Sequence, residues 1–355
     1  MEKIVFVIPD MPGGGTERVV ALLANEYCRR GIAVAILLFA GHETAYPLAP
    51  EVEVISVGEP SGGSLSARLG RIFRMRRFYR ENGNCQIWAF SAMGTVFSAV
   101  ATLEQKHFFL VSERNDPTRY DHRKIRDFCY RRADVVVCQT KDAVKSFPAG
   151  IRKKSVVIPN PLEPGEEPFA GERQKRIVAV GRLNAQKNHK LLLRAFASFA
   201  KEHTEFVLEI YGQGELETEL RTLAGELEID RSVIFKGFSD HVLADIREAG
   251  MYVLSSDYEG ISNSMLEAMA LGIPVVATDC PIGGSRMYIK DGVNGFLVPV
   301  GDAEALAGAM GRLADEPALG ERFGKEAAKL GEELAVPKIA DRFLALAGMG
   351  GENFA

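Results

Sequence analysis

The stretch Lys3-Ile-Val-Phe-Val-Ile8 is followed by Pro12-Gly-Gly-Gly15 and by a segment from Thr16 to Arg30 with apolar residues at helical spacing. A continuous apolar run predicts a strand covered on both faces, as the strands of parallel sheets are. The glycines allow the tight turn that leads into the helix. This strand–turn–helix unit predicts a doubly wound α/β fold with a parallel sheet.

The unit recurs along the first half of the chain. Further strands are predicted at Ile32–Phe39, Val52–Val57, Gln86–Phe90, His107–Ser112 and Val135–Cys138, with helical segments between most of them. The segment Ile158–Pro168 is dense in proline and acidic residues, so it cannot continue a helix or a sheet. We therefore expect residues 1–160 to form one domain and residues 158–174 to form a linker.

After the linker the pattern restarts. Strands are predicted at Arg176–Gly181, Glu205–Tyr211, Val233–Gly237, Met251–Ser255, Pro274–Ala277 and Phe296–Val298, and helices at Asn188–Glu202 and Glu215–Leu227. Residues 175–336 are expected to form a second Rossmann-like domain, with a cleft between the carboxyl ends of the two sheets. The amphipathic segment 337–347 is expected to form a last helix that packs on either domain.

The composition is that of a globular protein. The 355 residues include 43 lysines and arginines and 47 aspartates and glutamates, which gives a formal net charge of −4. At about 150 residues per domain the length suits two domains, and the near-neutral charge argues against a dedicated nucleic-acid binder. The five cysteines lie far apart without a Cys-x-x-Cys motif. That usage indicates reduced thiols in the cytoplasm rather than disulfides or a zinc site.

One uncharged stretch, Cys85–Leu103, is long enough to be considered as a membrane span. Its many polar residues make it weakly apolar, so we expect a buried strand, a turn and a buried helix instead. The apolar run Ile4–Ile8 is too short for a secretory signal. A cytoplasmic protein without a transmembrane segment is therefore expected.

The segment Tyr258–Ala277 is the densest candidate site. Three consecutive residues are good N-caps for the helix that follows: Ser262, Asn263 and Ser264. The start of such a helix presents free N–H groups and a positive dipole end to an anion. Glu259 and Glu267 flank this turn, which suits a ligand with both phosphates and hydroxyls, such as a nucleotide sugar. A capped core helix with two solvated acids explains the spacing equally well.

Two cations, Arg182 and Lys187, lie on the loop after the strand that ends at Gly181. Arginine offers two parallel hydrogen bonds to phosphate oxygens and lysine a point charge, although loop cations are more often merely solvated. The chain has no Walker loop, and Asp257-Tyr-Glu259 is its nearest approach to an Asp-x-Asp metal motif. We therefore expect no bound metal and no other cofactor.

Together these motifs resemble glycosyltransferase family 4. The resemblance covers about residues 3 to 345 and is carried by Gly13-Gly-Gly-x-Glu17, Gly181-Arg182 with Lys187-Asn188, Glu259-x7-Glu267, Ala268-Met-Ala-x-Gly-x-Pro-Val-Val-Ala277 and Asp291–Pro299. It implies a GT-B fold, a nucleoside-diphosphate sugar donor with UDP as the expected nucleotide, and retention at the anomeric carbon. It also implies that the last helix crosses back to the N-terminal domain.

The family's roles are carried over to the matching positions of this sequence. Arg182 and Lys187 would hold the diphosphate and Glu259 the donor sugar, and these three are the expected catalytic residues. Other expected donor contacts are Glu267 to the ribose, the helix start at Ser262, Asn263 and Ser264, and a frame for the base formed by Tyr211, Gly212, Gly214, Lys236 and Phe238. Gly14 and Gly15 would let the N-terminal domain close onto the diphosphate.

The chain departs from the family pattern at two places. Where a histidine often follows an N-terminal strand, this chain has Ser112-Glu-Arg-Asn-Asp-Pro117, so Glu113, Arg114 or Asn115 is expected to face the sugar. Where an acidic residue often contacts a sugar hydroxyl, Gly284-Ser-Arg286 stands instead. Both variants resemble the branch that transfers N-acetylgalactosamine or galactose to lipid-linked oligosaccharides.

The segment Ser64–Arg80 predicts a basic amphipathic helix. On a helical wheel the apolar residues share one face, and three arginines share the opposite one: Arg71, Arg74 and Arg77. Such a helix suits a polyprenyl-diphosphate acceptor or the anionic lipids at the inner face of the plasma membrane. A surface helix that packs on the sheet through its apolar face is the alternative.

The sequence thus predicts a glycosyltransferase that moves a hexose or N-acetylhexosamine to a glycan acceptor. A sugar-nucleotide 2-epimerase has a similar two-domain fold but would not need the basic helix. A non-catalytic nucleotide-sugar binder is disfavoured, because both acids and both cations are present together.

Overall fold

The computed structural model of the chain describes residues 3–41, 44–58, 64–163 and 167–349. These residues form two compact units. The N-terminal unit takes the chain up to Pro161 and again from Ala335, and the C-terminal unit runs from Leu162 to Leu334.

The N-terminal unit is built on a parallel sheet of seven strands. These are β1 (Lys3–Ile8), β2 (Val34–Leu38), β3 (Glu53–Ser56), β4 (Cys85–Ala89), β5 (Phe109–Glu113), β6 (Val135–Cys138) and β7 (Ser155–Val157), in the order β3-β2-β1-β4-β5-β6-β7. The strands β2, β4 and β5 are buried along their whole length, as continuous apolar runs predict. The edge strand β7 is not predicted, because three half-buried residues are too few to show a period.

Six helices connect these strands. They are α1 (Gly15–Arg29), α2 (Leu65–Glu81), α3 (Ala92–Ala101), α4 (Arg123–Tyr130), α5 (Lys141–Lys145) and α6 (Ala149–Arg152). Helix α3 packs between α2 and α4, so these three form one layer on the sheet. The uncharged stretch Cys85–Leu103 contains β4 and α3, which confirms the predicted strand, turn and helix.

The C-terminal unit has a second parallel sheet, of six strands. These are β8 (Gln174–Val180), β9 (Val207–Tyr211), β10 (Val233–Gly237), β11 (Ala249–Leu254), β12 (Val275–Thr278) and β13 (Phe296–Val298), in the order β10-β9-β8-β11-β12-β13. Its helices are α7 (His189–Phe199), α8 (Glu217–Glu226), α9 (Val242–Ile246), α10 (Asn263–Ala270), α11 (Gly284–Tyr288), α12 (Ala303–Asp315), α13 (Pro317–Ala328) and α14 (Leu330–Glu333). The prediction of two doubly wound parallel sheets is confirmed.

The last helix, α15 (Val336–Leu346), belongs to the N-terminal unit. Phe343 stacks on Trp88, with ring centroids 5.7 Å apart, and lies 6.1 Å from Phe90. The Tyr27 hydroxyl donates a hydrogen bond to the Ala340 carbonyl at 3.1 Å. The apolar face of α15 therefore completes the core of this unit, next to α1.

Among the described helices, none combines the length and the apolar composition that a bilayer span requires. All five cysteines are free thiols, and four of them are buried.

We predict that Phe343→Ala destabilises the N-terminal unit by about 3–5 kcal/mol, because it removes a fully buried aromatic ring and leaves a cavity. Trp88 is the only tryptophan of the chain and touches Phe343, so its fluorescence during urea unfolding reports on this unit. The exposed Lys338→Ala on the same helix is the matched control and should change the unfolding free energy by no more than about 0.5 kcal/mol. Equal effects of both substitutions would contradict the packing of α15.

Candidate active site

The candidate residues of the C-terminal unit converge because β8, β11 and β12 are neighbours in the sheet. The loop that carries Arg182 and Lys187 follows β8, and the loop that carries Glu259 follows β11. Parallel strands end at the same edge of a sheet, so both loops and the start of α10 lie at that edge.

The centre of the site is a buried ion pair between Lys187 and Glu259. The Lys187 Nζ lies 2.6 Å from Oε1 of Glu259, and the two side chains are only 15% and 9% exposed. Ser256 donates a hydrogen bond of 2.9 Å to the same oxygen. The other carboxylate oxygen, Oε2, takes part in neither contact.

Hydrogen bonds also fix the two loops to each other. Asn188 Nδ2 donates to Asp257 Oδ1 at 2.7 Å, and Gln186 Nε2 donates to the Tyr258 carbonyl at 3.1 Å. Asn188 caps α7 in the left-handed region, with φ of 45°, a conformation that asparagine tolerates better than most residues. The Lys187–Glu259 pair is thus held on a rigid frame.

The start of α10 lies at the same edge of the sheet as the Lys187–Glu259 pair. Ser262 accepts the capping hydrogen bond from the Met265 amide at 3.4 Å. Ser264 donates its hydroxyl to the Val180 carbonyl at 3.0 Å and lies 2.7 Å from the Tyr252 hydroxyl. Its side chain is therefore used to dock α10 on β8, and what this turn offers an anion is its backbone N–H groups. Glu267 is buried one turn further along α10.

Arg182 is the exposed cation of the site. Within the described part of the chain its guanidinium makes no ion pair, in contrast to Lys187. Gly212, after the neighbouring strand β9, must be glycine for this loop to pack, because a Cβ on it would lie 2.0 Å from the Gly181 carbonyl oxygen. Gly212 also has φ of +134°.

The residues expected to frame a base lie at the ends of β9 and β10. Gly214 packs on the Leu183 carbonyl, where a Cβ would come within 2.4 Å. Tyr211 is buried and donates its hydroxyl to Glu209 at 3.0 Å, so its side chain is held against the sheet. Lys236 is exposed and Phe238 is 65% exposed.

His189 is a buried neighbour of the site that the sequence motifs do not single out. It is the first residue of α7, is 4% exposed, and its ring lies against the backbone of Gly181 and Arg182. Burial, together with the charge of Lys187, lowers the pKa of His189 to about 4. The ring is therefore neutral at neutral pH. Ser256 is also missed, because only the fold shows that its hydroxyl donates to Glu259.

The N-terminal candidates have different environments. Glu113 is 2% exposed and accepts hydrogen bonds of 2.9 Å from both Tyr120 and Tyr130, and burial raises the pKa of its carboxyl. It points into the unit, so the expectation that it faces a sugar is corrected. Arg114 is half-buried and donates to Asn160 at 2.5 Å, whereas Asn115 is exposed at the carboxyl end of β5.

The first glycine turn is packed against the helix it precedes. A Cβ on Gly14 would lie 2.2 Å from the Glu17 carboxylate, and the Tyr46 hydroxyl donates to the Gly14 carbonyl at 3.1 Å. Gly14 is thus in contact with groups of its own unit, and Gly15 is the first residue of α1.

The orientation of α2 corrects the expectation for its arginines. The helix packs through Met75 and Tyr79, whose hydroxyl is 3.0 Å from that of Ser98 on α3. Arg71 lies one turn before Met75 and is buried too, with 8% of its surface exposed. Arg74 donates to the Val57 carbonyl at 2.7 Å, and Arg77 is exposed and pairs with Glu81. The three arginines therefore do not form one free basic face.

The second departure from the family pattern, Gly284-Ser-Arg286, is explained by contacts within the C-terminal unit. Arg286 pairs with Asp279, with Nε 2.6 Å from Oδ1. A Cβ on Gly284 would lie 1.9 Å from the Gly260 carbonyl, so glycine is required for α11 to pack on the Glu259 turn.

Two family models match the chain. "Glycosyltransferase Family 4" matches residues 13–166 and "Glycosyl transferases group 1" matches residues 166–330. The chain is 24% identical to an "Uncharacterized glycosyltransferase" of Haemophilus influenzae, over 97% of this chain and 99% of that protein. Four further relatives match about half of this chain, and the chain spans less than half the length of each.

A relative with a more specific name comes from Campylobacter jejuni. It is the "GalNAc-alpha-(1->4)-GalNAc-alpha-(1->3)-diNAcBac-PP-undecaprenol alpha-1,4-N-acetyl-D-galactosaminyltransferase", 27% identical over 92% of this chain and 91% of that protein. Among solved structures, HepE of Anabaena in complex with UDP-glucose superposes with a TM-score of 0.82 at 18% identity, over 98% of this chain and 100% of that chain. This likeness shows a shared GT-B fold.

We predict that His189 makes the C-terminal unit less stable as the pH falls from 7 to 5. A histidine pKa lowered in the folded state means that the unfolded chain binds the proton first, so stability is complete above about pH 6.5 and is lost towards pH 4. The loss by pH 5 should be about 2 kcal/mol. His189→Gln cannot titrate and should lack this loss. Hydrogen exchange of α7 and β8, compared between wild type and variant at each pH, measures it; parallel curves would contradict the assignment.

Proposed function

The chain belongs to the glycosyltransferases that these two family models describe, and from that premise we propose that it moves a hexose or N-acetylhexosamine from a UDP-sugar to a polyprenyl-diphosphate-linked saccharide, with retention at the anomeric carbon. The observation that carries the proposal is the convergence of Lys187, Glu259 and the start of α10 at one edge of the C-terminal sheet. A UDP-sugar donor is supported by the shared fold with HepE, which was solved with UDP-glucose. The lipid-linked acceptor is supported by the name of the Campylobacter jejuni relative.

The main requirement of the proposed reaction is that the leaving diphosphate is stabilised. The bond between the anomeric carbon and the phosphate oxygen breaks, and its electron pair stays on the diphosphate, which becomes more negative. Arg182 is exposed and can give a bidentate hydrogen bond to the phosphates, and the N–H groups at the start of α10 face the same edge. Each preorganised donor of this kind contributes about 3 kcal/mol to lowering the barrier.

Lys187 has a double role in this proposal. One of its three N–H groups is used by Glu259, and the others remain for the diphosphate. Glu259 in turn offers Oε2 to a hydroxyl of the donor sugar, since Oε1 is taken by Lys187 and Ser256. The ion pair thereby ties the position of the sugar to the position of its leaving group.

The acceptor step needs no separate base in this proposal. The acceptor hydroxyl oxygen bonds to the anomeric carbon on the face from which the diphosphate departs, and its proton goes to the departing phosphate oxygen. Atoms and charges then balance without a side-chain base. Arg114 and Asn115, at the end of β5, are proposed to contact the acceptor or the sugar.

We predict that Arg182→Ala and Lys187→Ala each lower kcat by about 100- to 1,000-fold, because each removes a positive donor to the leaving diphosphate. The matched control is Lys190→Ala, a partly exposed lysine on α7 that pairs with Glu219 and should stay within about twofold of wild type. Circular dichroism and thermal unfolding verify the fold of each variant. Near-normal turnover of Arg182→Ala would overturn the proposed role of this loop.

Since Lys187→Ala also leaves Glu259 buried without its cation, its stability is expected to fall by about 3 kcal/mol. The double variant Lys187→Gln with Glu259→Gln removes both charges and separates the two effects. It should regain stability but not turnover.

We predict that the enzyme keeps its full initial rate after dialysis against EDTA, because Arg182, Lys187 and the start of α10 supply the positive charge that a metal would otherwise supply. The rate of UDP release with donor and acceptor present, measured before and after dialysis, provides the test. A rate that falls and is restored by Mg²⁺ or Mn²⁺ would show that a metal takes part.

A further inference from the structure

Arg126, on α4, is a buried cation to which the proposed reaction gives no role. Its side chain is only 4% exposed. Its Nε and Nη2 donate to Oδ1 of the neighbouring Asp127 at 3.0 and 2.7 Å, and its Nη1 lies 4.0 Å from Oε2 of the buried Glu113. Arginine is almost never buried to this extent without such partners, and a buried ion pair adds little net stability. The stability of the unit alone therefore does not explain this group.

Three aromatic rings lie around the Arg126 guanidinium. Its central carbon is 5.0 Å from the ring centroid of Tyr120, 5.5 Å from that of Tyr130 and 5.0 Å from that of Phe147. At these distances the face of each ring attracts a cation. The rings come from the loop after β5, the end of α4 and the segment after α5, so they fix Arg126 to three parts of the unit. A planar, permanently charged guanidinium suits this environment better than a lysine ammonium.

The same guanidinium holds the loop between β5 and α4. Arg126 Nη1 donates to the Pro117 carbonyl at 2.5 Å. Glu113, from which the loop starts, accepts hydrogen bonds from the Asn115 backbone amide at 3.2 Å and from the Tyr120 hydroxyl at 2.9 Å. The beginning, the middle and the end of the loop are therefore attached to one buried group of charges. We call this group, formed by Arg126, Glu113 and the ring of Tyr120, the Arg126 cluster.

The loop presents the side-chain amide of the exposed Asn115. Its Oδ1 accepts a hydrogen bond from the Asp116 backbone amide at 2.8 Å. Because the oxygen is the accepting atom of this bond, the amide is oriented, and its Nδ2 group is what it can offer to a ligand. Asp116 is 3% exposed and accepts from the amide and the hydroxyl of Thr118 at 2.8 and 2.7 Å. The loop thus offers a hydrogen-bond donor in a defined direction, beside the carboxyl end of β5.

Arg114, the other candidate of this loop, is held by different partners. Its Nη2 donates to Oδ1 of Asn160 at 2.5 Å, and the same oxygen accepts from Nε2 of Gln139 at 2.7 Å. The Arg114 guanidinium also lies 5.5 Å from the ring centroid of Phe90. These three partners follow β7, β6 and β4, and they are not members of the Arg126 cluster. The cluster therefore controls Asn115 more directly than Arg114.

We propose that Arg126 is a positioning residue for the acceptor and that it acts through Asn115, an inference that rests on the proposed function. Arg126 is itself too buried to touch a substrate. A lysine in its place would lack the planar group that joins the Pro117 carbonyl to the rings. Asn115 would then be held less precisely, and a displacement of about 1 Å can cost about 100-fold in rate. The residues proposed to hold UDP belong to the C-terminal unit, so donor affinity should not change.

The test is a double-variant cycle of Arg126→Lys and Asn115→Ala in the full chain. The donor is UDP-N-acetylgalactosamine or UDP-galactose, whichever the wild type uses, and the acceptor is a polyprenyl-diphosphate-linked N-acetylgalactosamine. Each single variant should lower kcat/KM for the acceptor about tenfold, and the double variant should be no worse than Asn115→Ala. UDP affinity, measured by calorimetry, should match that of the wild type throughout. Arg123→Lys, an exposed arginine on the same helix, is the matched control and should behave like wild type.

Hydrogen exchange of the free protein measures the positioning without any substrate. In Arg126→Lys the backbone amides of Asn115 and Thr118 should exchange about tenfold faster, whereas those of β5 should stay protected. Tyr120→Phe is a second variant that keeps the ring beside Arg126 and removes only the hydrogen bond to Glu113. Because Tyr120 is half-buried, this variant should fold normally, and it should lower kcat/KM for the acceptor about threefold.

Two outcomes would overturn the role of Arg126. A merely structural role would lower kcat/KM by the same factor with and without Asn115→Ala, and a loop held by other groups would exchange at the wild-type rate in Arg126→Lys. A wild type that binds UDP but transfers no sugar to the lipid-linked acceptor would instead refute the proposed function. The exchange measurement would then still decide whether Arg126 holds the loop.

Discussion

The C-terminal unit depends on one electrostatic constraint, the pairing of Lys187 with Glu259 at the edge of its sheet. A buried ion pair adds little net stability, because removing two charges from water costs about as much as their attraction returns. Here the ion pair fixes the positions of its two charged groups. The cation lies beside a helix start and the carboxylate is aligned by Ser256, so both charges are in place before a ligand arrives. Preorganised charge of this kind lowers a barrier without a reorganisation cost.

The fold was largely predictable because its strands are continuous apolar runs, as Lys3–Ile8 and Val135–Cys138 show with identical predicted and observed bounds. The chemistry was predictable where residues adjacent in sequence form a motif, as around Glu259. What periodicity could not predict is which face of a helix is buried. Helix α2 has apolar groups and arginines on different sides, and Arg71 is buried close to Gly58 because α2 packs on α3, an arrangement that only the assembled unit creates.

Glu113 is a second residue whose burial the sequence alone could not predict. The residues around it differ from the family pattern, and the sequence offered no reason to choose among Glu113, Arg114 and Asn115. The fold makes the choice: two tyrosine hydroxyls converge on the Glu113 carboxylate, and burial raises its pKa. A buried, hydrogen-bonded carboxyl is a support for the loop it begins, because moving it to the surface would leave the hydroxyls of Tyr120 and of the buried Tyr130 without this acceptor. Asn115, in contrast, is exposed.

The net charge of a chain is a poor guide to its surfaces, and this molecule shows why. A value of −4 argues against a polyanion as partner, yet residues 64–132 are strongly basic, so the acidic excess lies elsewhere in the chain. At physiological ionic strength charges interact over only about 8 Å, so a partner responds to the layer it touches and not to the sum. For an enzyme whose proposed substrates are a diphosphate sugar and a diphosphate lipid, local cations determine recognition.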